Sequence, residues 1–347
     1  MDGVSDAPFR SIQKKYGNPS ILYTEFSSVE GICHGSTTFE KEFLYDGHQH
    51  PIVAQIFGTE PECFYQSAIL CAELGFDGVD INMGCPAKNV AHRGAGAGLI
   101  RTPSLAQQIV AAVKRGVKDW SEGANIEDYS DIGEKSRQNV NQRKAQLLAH
   151  ATQQNGATTD PTEPTKRPLL PVSIKTRLGY DTPSVSEWIP LLLETEPSAI
   201  ALHGRTLKQQ YGGEANWEII GTAAQLMRTS SVLLLGNGDL RSREDALEHI
   251  QRYGTDGALI GRATFGNPFI FLDTPPAGAN IPQIALEHAQ LYEQNMQQFE
   301  KYSFLPMRKH LGWYIRGIDK ASEIRSKLFT TNTAAEVAQI FQEYQLL

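Results

Sequence analysis

The sequence predicts an α/β chain, a (β/α)8 TIM barrel followed by a small C-terminal helical domain, and three observations carry that prediction. Short apolar, β-branched runs alternate with helix-like stretches over residues 1–281, the pattern of parallel strands buried on both faces and joined by crossover helices. Polar residues gather at the C-terminal ends of these runs and no G-x-G-x-x-G follows an early one, which favours a barrel over a doubly wound sheet. After about Pro282 the strand pattern stops and helical periodicity takes over.

The runs, in order, are "SILYTEF" (20–26), "PIVAQIFG" (51–58), "FDGVDINMG" (76–84), "PVSIKTRLG" (171–179), "AIALHGRT" (199–206), "SVLLLGNGD" (231–239) and "GALIGRA" (257–263). Seven are countable, one short of a closed barrel. Between them lie helix-like stretches at 60–75, 104–116 and 242–254, the last two opening on a serine N-cap and closing on glycine. Residues 119–167 are polar and Gln/Asn/Thr-rich, far longer than an ordinary connection, and are expected to be a mostly disordered insertion in which "NQRKAQLLAHA" could form one helix. The expected helical domain, 282–347, contains "IALEHAQLYEQNMQQFEKY" and "PMRKHLGWYIRG".

Composition narrows the function. A net charge of −7, from 39 acids against 32 Lys and Arg, argues against a generic nucleic-acid binder but leaves room for a local basic patch. Cys33, Cys63, Cys71 and Cys85 are scattered with no C-x-x-C pair, so neither a zinc site nor a disulfide framework is expected. No apolar run approaches the roughly 18 residues of a membrane span, and no secretory signal is visible at the N-terminus. A cytoplasmic protein is expected, with no metal, no membrane and no obligate protein partner.

Chemistry in such a barrel sits at the C-terminal strand ends. Those ends supply Gln55, Asn82 and Cys85, Lys175 and Arg177, His203 and Arg205, then "GNGD" and "GRA". The last two pieces stand where barrels of this kind cradle a phosphate on backbone N–H groups. There Gly236, Gly238 and Gly261 permit close approach and Arg262 adds charge, so a phosphorylated cofactor is expected. Lys175 lies in an otherwise apolar strand, where a lysine is rarely buried without a partner. For Cys85, a nucleophile, a proton donor and plain packing remain open.

Taken together, "MDGVSDAPFR", "DINMGCPAKNV", "SIKTRLGYD", "LHGRT", "GNGD", "GRATFGNPFIF" and "MRKHLGWY" resemble the tRNA-dihydrouridine synthases, with the bacterial B-type branch nearest. The resemblance spans most of the chain outside the insertion. It implies an FMN enzyme that uses NADPH to reduce the carbon 5–carbon 6 double bond of particular uridines in tRNA. It also implies that Met1, Gln55, Lys175, His203, Asn237, Gly238, Asp239, Gly261 and Arg262 contact FMN. Cys85 matches the acid that protonates carbon 5 while reduced flavin delivers hydride to carbon 6. A free thiol of pKa ~8.5 is mostly protonated at neutral pH and suits that role, whereas a nucleophilic cysteine would want a base beside it. Asn82 is expected to orient the uracil base, and Arg177 and Arg205 to contact the substrate.

Measured against that family the strand missing from the count is the first, so the barrel is expected to be truncated there. A uridine in folded tRNA must leave its stack to reach a barrel mouth, which requires a second surface for the RNA. Residues 301–327 carry seven Lys or Arg against two acids, and Arg308, Lys309, Arg316 and Lys320 are the expected contacts. On one continuous helix Lys309, Arg316, Lys320 and Lys327 would share a face, but Gly312 and Gly317 predict a break. Two rival readings stay open: another FMN barrel acting on a free pyrimidine, such as a dihydroorotate dehydrogenase relative, and a synthase remnant that binds tRNA without turnover.

Overall fold

Seven parallel strands lie side by side in chain order: β1 (Leu22–Ser28), β2 (Ile52–Phe57), β3 (Gly78–Met83), β4 (Val172–Arg177), β5 (Ala199–His203), β6 (Leu233–Asn237) and β7 (Gly257–Leu259). The structure is a computed structural model, and it describes residues 1–129, 132, 134, 137, 138, 140–142, 144, 167–210 and 212–347. Uninterrupted parallel order with helices between the strands is the winding of a (β/α)8-type barrel.

Helices in the barrel region include α1 (Ala7–Gly17), α2 (Val29–Cys33), α3 (Phe39–Glu42), α4 (Pro61–Glu73), α5 (Lys88–Ala91), α6 (Pro103–Ser121), α7 (Val185–Leu193), α8 (Trp217–Met227) and α9 (Arg243–Tyr253). Ile56, Ile81, Ile174, Ile200 and Leu234 of the strands meet Phe64 and Ile69 of α4, Ile109 and Val113 of α6, Trp188 of α7 and Ile220 of α8 in one buried core. Each such side chain contributes about 1.5–3 kcal/mol on burial. Among the described residues no helix is long and apolar enough to cross a membrane.

Two helix ends depart from the sequence expectation. Ser104 is not a cap: α6 starts on Pro103 after Thr102, where the fixed φ of proline suits the first turn. Gly116 does not end α6 either; a Cβ there would lie 2.5 Å from the Tyr65 carbonyl, so it is the point at which α6 presses onto α4. Helix α9 matches its reading, with Ser242 Oγ accepting the Asp245 N–H at 3.0 Å and Gly254 closing the helix at φ 68°.

The expected disorder of 119–167 fails at its start. Helix α6 runs on to Ser121, Ile126 is buried with its N–H donated to Glu73 at 3.1 Å, and Tyr65 donates to Asp119 at 2.9 Å. Ile132 and Val140 are buried as well. These apolar residues are too widely spaced to stand out in a polar stretch. Residues 130, 131, 133, 135, 136, 139, 143 and 145–166 lie outside the described residues.

The C-terminal helices are α10 (Ile281–Met296), α11 (Leu305–Tyr314), α12 (Ala321–Leu328) and α13 (Ala334–Glu343). Tyr292, Met307, Leu311, Ile324, Leu328, Val337 and Phe341 form their core, which also takes in Ile12 of α1 and Phe269. Lys15 and Tyr16 of α1 reach Glu287 at 2.7 and 2.6 Å. The helical region therefore shares its packing with the barrel instead of forming a free-standing unit.

Candidate functional site

Parallel register gathers the strand-end residues into a continuous arc. Gln55 stands opposite Asp80, Asn82 opposite Lys175, Arg177 opposite His203, His203 opposite Asn237 and Asn237 opposite Leu259. Side chains two apart on a strand share a face, so Asp80 and Asn82 look the same way from a β3 whose six residues are all buried.

Cys85 sits just past that strand, half-buried, whereas Cys33, Cys63 and Cys71 are buried. Its loop is held from both sides. The Oδ1 of Asn82 accepts the N–H groups of Gly84 at 3.0 Å and Cys85 at 2.9 Å. From β4, Thr176 Oγ1 donates to the Met83 carbonyl at 3.2 Å and Arg177 Nε to the Gly84 carbonyl at 2.6 Å. Burial pushes the Cys85 thiol above the usual cysteine value, against the pull of the Ala87 N–H, with Asp2 adding to the rise and Arg177 opposing it. Cys85 therefore stays a thiol at neutral pH.

Behind Asn82 runs a relay that reading the sequence missed. Asn82 Nδ2 donates to Gln55 Oε1 at 3.1 Å, Gln55 Nε2 to Asp80 Oδ2 at 2.7 Å, and Ser173 Oγ to Asp80 Oδ1 at 2.6 Å. Burial pushes the Asp80 carboxyl up to about 6, while the Ser173 and Gln55 hydrogen bonds hold it down. Only a carboxylate buried inside a strand could have flagged this chain of bonds in advance. Both amide ends of Gln55 are thereby engaged, and Asn82 is held between Gln55 and the Cys85 loop.

Cations at different depths form the other half of the mouth, Lys175 half-buried, Arg205 buried and Arg262 exposed. Lys175 Nζ donates to Asn237 Oδ1 at 3.0 Å, and Asn237 Nδ2 donates to the Leu259 carbonyl at 2.8 Å. Burial, with Arg177 nearby, lowers Lys175 to about 8. His203 is pushed down to about 2 by burial and by Lys175, Arg177 and Arg205, and so is neutral. Arg205 spends its guanidinium on Asp239, Nη1 to Oδ1 at 3.0 Å and Nη2 to Oδ2 at 2.6 Å, and on the carbonyls of Gly212 and Gly213. Arg262 joins Asp239 Oδ1 at 2.7 Å. Although burial raises it, Asp239 is held below the usual carboxylate range by Arg205, the Ala215 N–H and Arg262.

Arg177 and Arg205 are both buried, and they brace the Cys85 loop and the 236–239 turn. The turn needs its glycine, since Gly238 has φ 136° and a Cβ there would meet Ala215 at 2.5 Å. Met1 lies beside Gly261, its Sδ 3.5 Å from where a Cβ at 261 would stand.

The donor set fits a flavin mononucleotide. Lys175 is a half-buried cation hydrogen-bonded to a neutral amide, so its charge is left to be matched by an electron-rich ligand atom. Arg262, 54% exposed at its side chain, and the glycine turns offer a cation and open backbone N–H groups of the kind that can hold a phosphate.

The expected RNA residues are elsewhere. Lys309 on α11 donates to the Gly3 carbonyl. Arg308 donates to the carbonyls of Thr331 at 2.8 Å and Thr330 at 3.3 Å and to Asn332 at 2.8 Å. Arg316 and Lys320 are exposed in the connection between α11 and α12, which contains Gly317 at φ 70°, while Gly312 stays inside α11. The basic residues thus share no single helical face.

A family model described as "Dihydrouridine synthase (Dus)" matches residues 1–121 and 162–346 of the chain. A protein named "Probable tRNA-dihydrouridine synthase" from Staphylococcus aureus is 31% identical over 356 residues, covering 99% of this chain and 91% of its own. "Probable tRNA-dihydrouridine synthase 2" from Bacillus subtilis is 30% identical over 352 residues, with 99% and 92% covered. A solved structure of DHODH in complex with ferulenol from Eimeria tenella aligns at a TM-score of 0.37 and 13% identity, covering 68% of this chain and 57% of its own, too distant to bear on fold or function.

Proposed function

Because this chain belongs to the dihydrouridine synthase family, we propose that it reduces the carbon 5–carbon 6 double bond of uridines in tRNA, with FMN as cofactor and NADPH as reductant. The observation that carries this reading is Cys85: a half-buried cysteine held protonated, on a loop fixed by Asn82, Thr176 and Arg177, beside an arc of cations.

In this reading Gln55, Lys175, His203 and Asn237 hold the ring of FMN, and Met1, Gly238, Asp239, Gly261 and Arg262 line its phosphate end. Bound and reduced by NADPH, FMN would supply the hydride that ends on carbon 6. Cys85 gives its Sγ proton to carbon 5 and recovers one from solvent. The raised thiol keeps that proton in place until a carbanion-like carbon approaches. Lys175 offsets negative charge on the ring, and neutral His203 can donate a hydrogen bond without adding a second charge. The bracing by Arg177 and Arg205 keeps these groups in register. Arg308 fixes the helical surface, and Lys309, Arg316 and Lys320 meet tRNA phosphates. Free cysteines and a tRNA substrate suit a reducing cytoplasm.

The test is direct: protein loaded with FMN and given NADPH and unmodified tRNA should form dihydrouridine. Turnover of free uracil or dihydroorotate with no product in tRNA would establish the rival pyrimidine oxidoreductase instead.

A further inference from the structure

The helical region carries a feature that the barrel mouth does not use. A groove of about 430 Å3 crosses α11, lined by Leu305, Arg308, Lys309, Gly312, Trp313 and Phe329. Leu305 is 62% exposed and Phe329 48%, which leaves two large apolar side chains in water at one place. The lining holds two cations and no carboxylate, in a chain of net charge −7.

We propose that this groove receives one unstacked nucleotide of the tRNA, other than the uridine that is reduced, with its base on the Phe329 ring and its phosphate at Lys309. The proposal rests on the tRNA reading above and deepens it.

The groove is built into the packing. Trp313 is pinned by a face-to-face stack on Phe265, centroids 4.0 Å apart at 12°, and by the His310 edge at 4.9 Å. Arg308, through Thr330, Thr331 and Asn332, ties down the turn that follows α12 and carries Phe329. At Gly312 a Cβ would lie 2.7 Å from the Phe329 ring, so the missing side chain is what gives that ring its seat. Lys309 donates one N–H to the Gly3 carbonyl, and an ammonium has three.

Aromatic walls with cations at the rim are the chemistry of single-stranded nucleic-acid binding, in which any base can stack and the phosphate meets charge. An apolar protein segment would leave those two cations facing greasy side chains. Phe265, which stacks on Trp313, stands three residues beyond Arg262 in the chain and so ties the groove to the strand-end loop of the mouth.

The test measures equilibrium binding of unmodified tRNA to the full chain across a salt series. Phe329→Ala should weaken binding roughly 5- to 100-fold, the range that loss of one base–aromatic stack gives, with the salt slope unchanged. Phe329→Trp should keep it. Gly312→Ala, which favours the helix but displaces the Phe329 ring, should bind as poorly as Phe329→Ala while melting no lower than wild type. Lys309→Ala should instead reduce the salt slope by about one. Wild-type affinity in both Phe329→Ala and Gly312→Ala would overturn the proposal. So would a change in oligomeric mass in these variants in place of a change in tRNA affinity, which would make the groove a protein interface. Tight tRNA binding by the wild type without dihydrouridine formation would sink the proposed reaction and leave the groove standing.

Discussion

The barrel mouth and the groove on α11 are opposite solutions to presenting chemistry. At the mouth, Asp80, Arg177 and Arg205 are charged and buried, and each is held by hydrogen bonds that offset its desolvation. In the groove the apolar side chains of Leu305 and Phe329 stand in water. A mouth fixed by its own bonds suits a small ligand bound in one pose, whereas exposed aromatic and basic surface suits a large polymer that covers it on arrival. The difference teaches that positioning and capture are separated here, so they should fail separately.

The largest break should come from Cys85→Ala, which removes the Sγ–H group and leaves the backbone bonds of its loop in place. We predict that it binds FMN and is reduced by NADPH like wild type, while single-turnover oxidation of the reduced protein by tRNA slows about 10²–10⁴-fold. A rate within a few-fold of wild type would leave Cys85 as packing. On the capture side, replacing Lys309, Arg316 and Lys320 together by Ala should lower the slope of log affinity against log salt by roughly two to three and leave flavin reduction unchanged. An unaltered slope would move the RNA surface elsewhere.

The relay behind Asn82 gives a sharper cut within the mouth. Asp80→Leu leaves the donors of Gln55 and Ser173 without their acceptor, at about 1–3 kcal/mol, and frees Asn82 to release the Cys85 loop. The rate of Cys85 alkylation should change by about tenfold, and it reads out Cys85 because the other three cysteines are buried. Asp80→Asn should restore the wild-type rate, since its Oδ1 can still accept from Gln55 while its Nδ2 donates to Ser173. Alkylation in Asp80→Leu at the wild-type rate would disprove the relay.

The last break concerns the shared packing between barrel and helices and leaves both the mouth and the groove intact. His288 lies among Phe9, His310 and the Tyr314 hydroxyl, and among the described residues Nε2 of both histidines lacks a hydrogen-bond partner. Burial lowers His288 to about 3, below its unfolded value of about 6.5. The unfolded chain therefore binds the extra proton, and stability present above pH 6.5 is lost as pH falls toward 3. Relative to His288→Phe, the wild type should lose at most about 1.4 kcal/mol per pH unit over that window. A stability difference between the two that stays flat from pH 7 to 4.5 would show that His288 is not buried neutral.

Much of this protein was legible from sequence alone because the relevant signals are local. Apolar runs of strand length gave seven strands in their observed order, and Ser242 with Gly254 gave the ends of α9. Gln55, Asn82, Cys85, Lys175 and His203 could be placed at strand ends because every strand of such a barrel points the same way. What those groups do to one another was not legible. That Arg177 reaches the Gly84 carbonyl and Arg205 the Asp239 carboxylate was set only by tertiary structure. Asp80 read as one letter of a motif until parallel register set it against Gln55. Gly116 read as a helix end until Tyr65 came to lie against it. The physical reason is the same in each case: periodicity and capping are fixed within a few residues of chain, whereas the partner of a buried charge is chosen by register and packing between segments tens of residues apart.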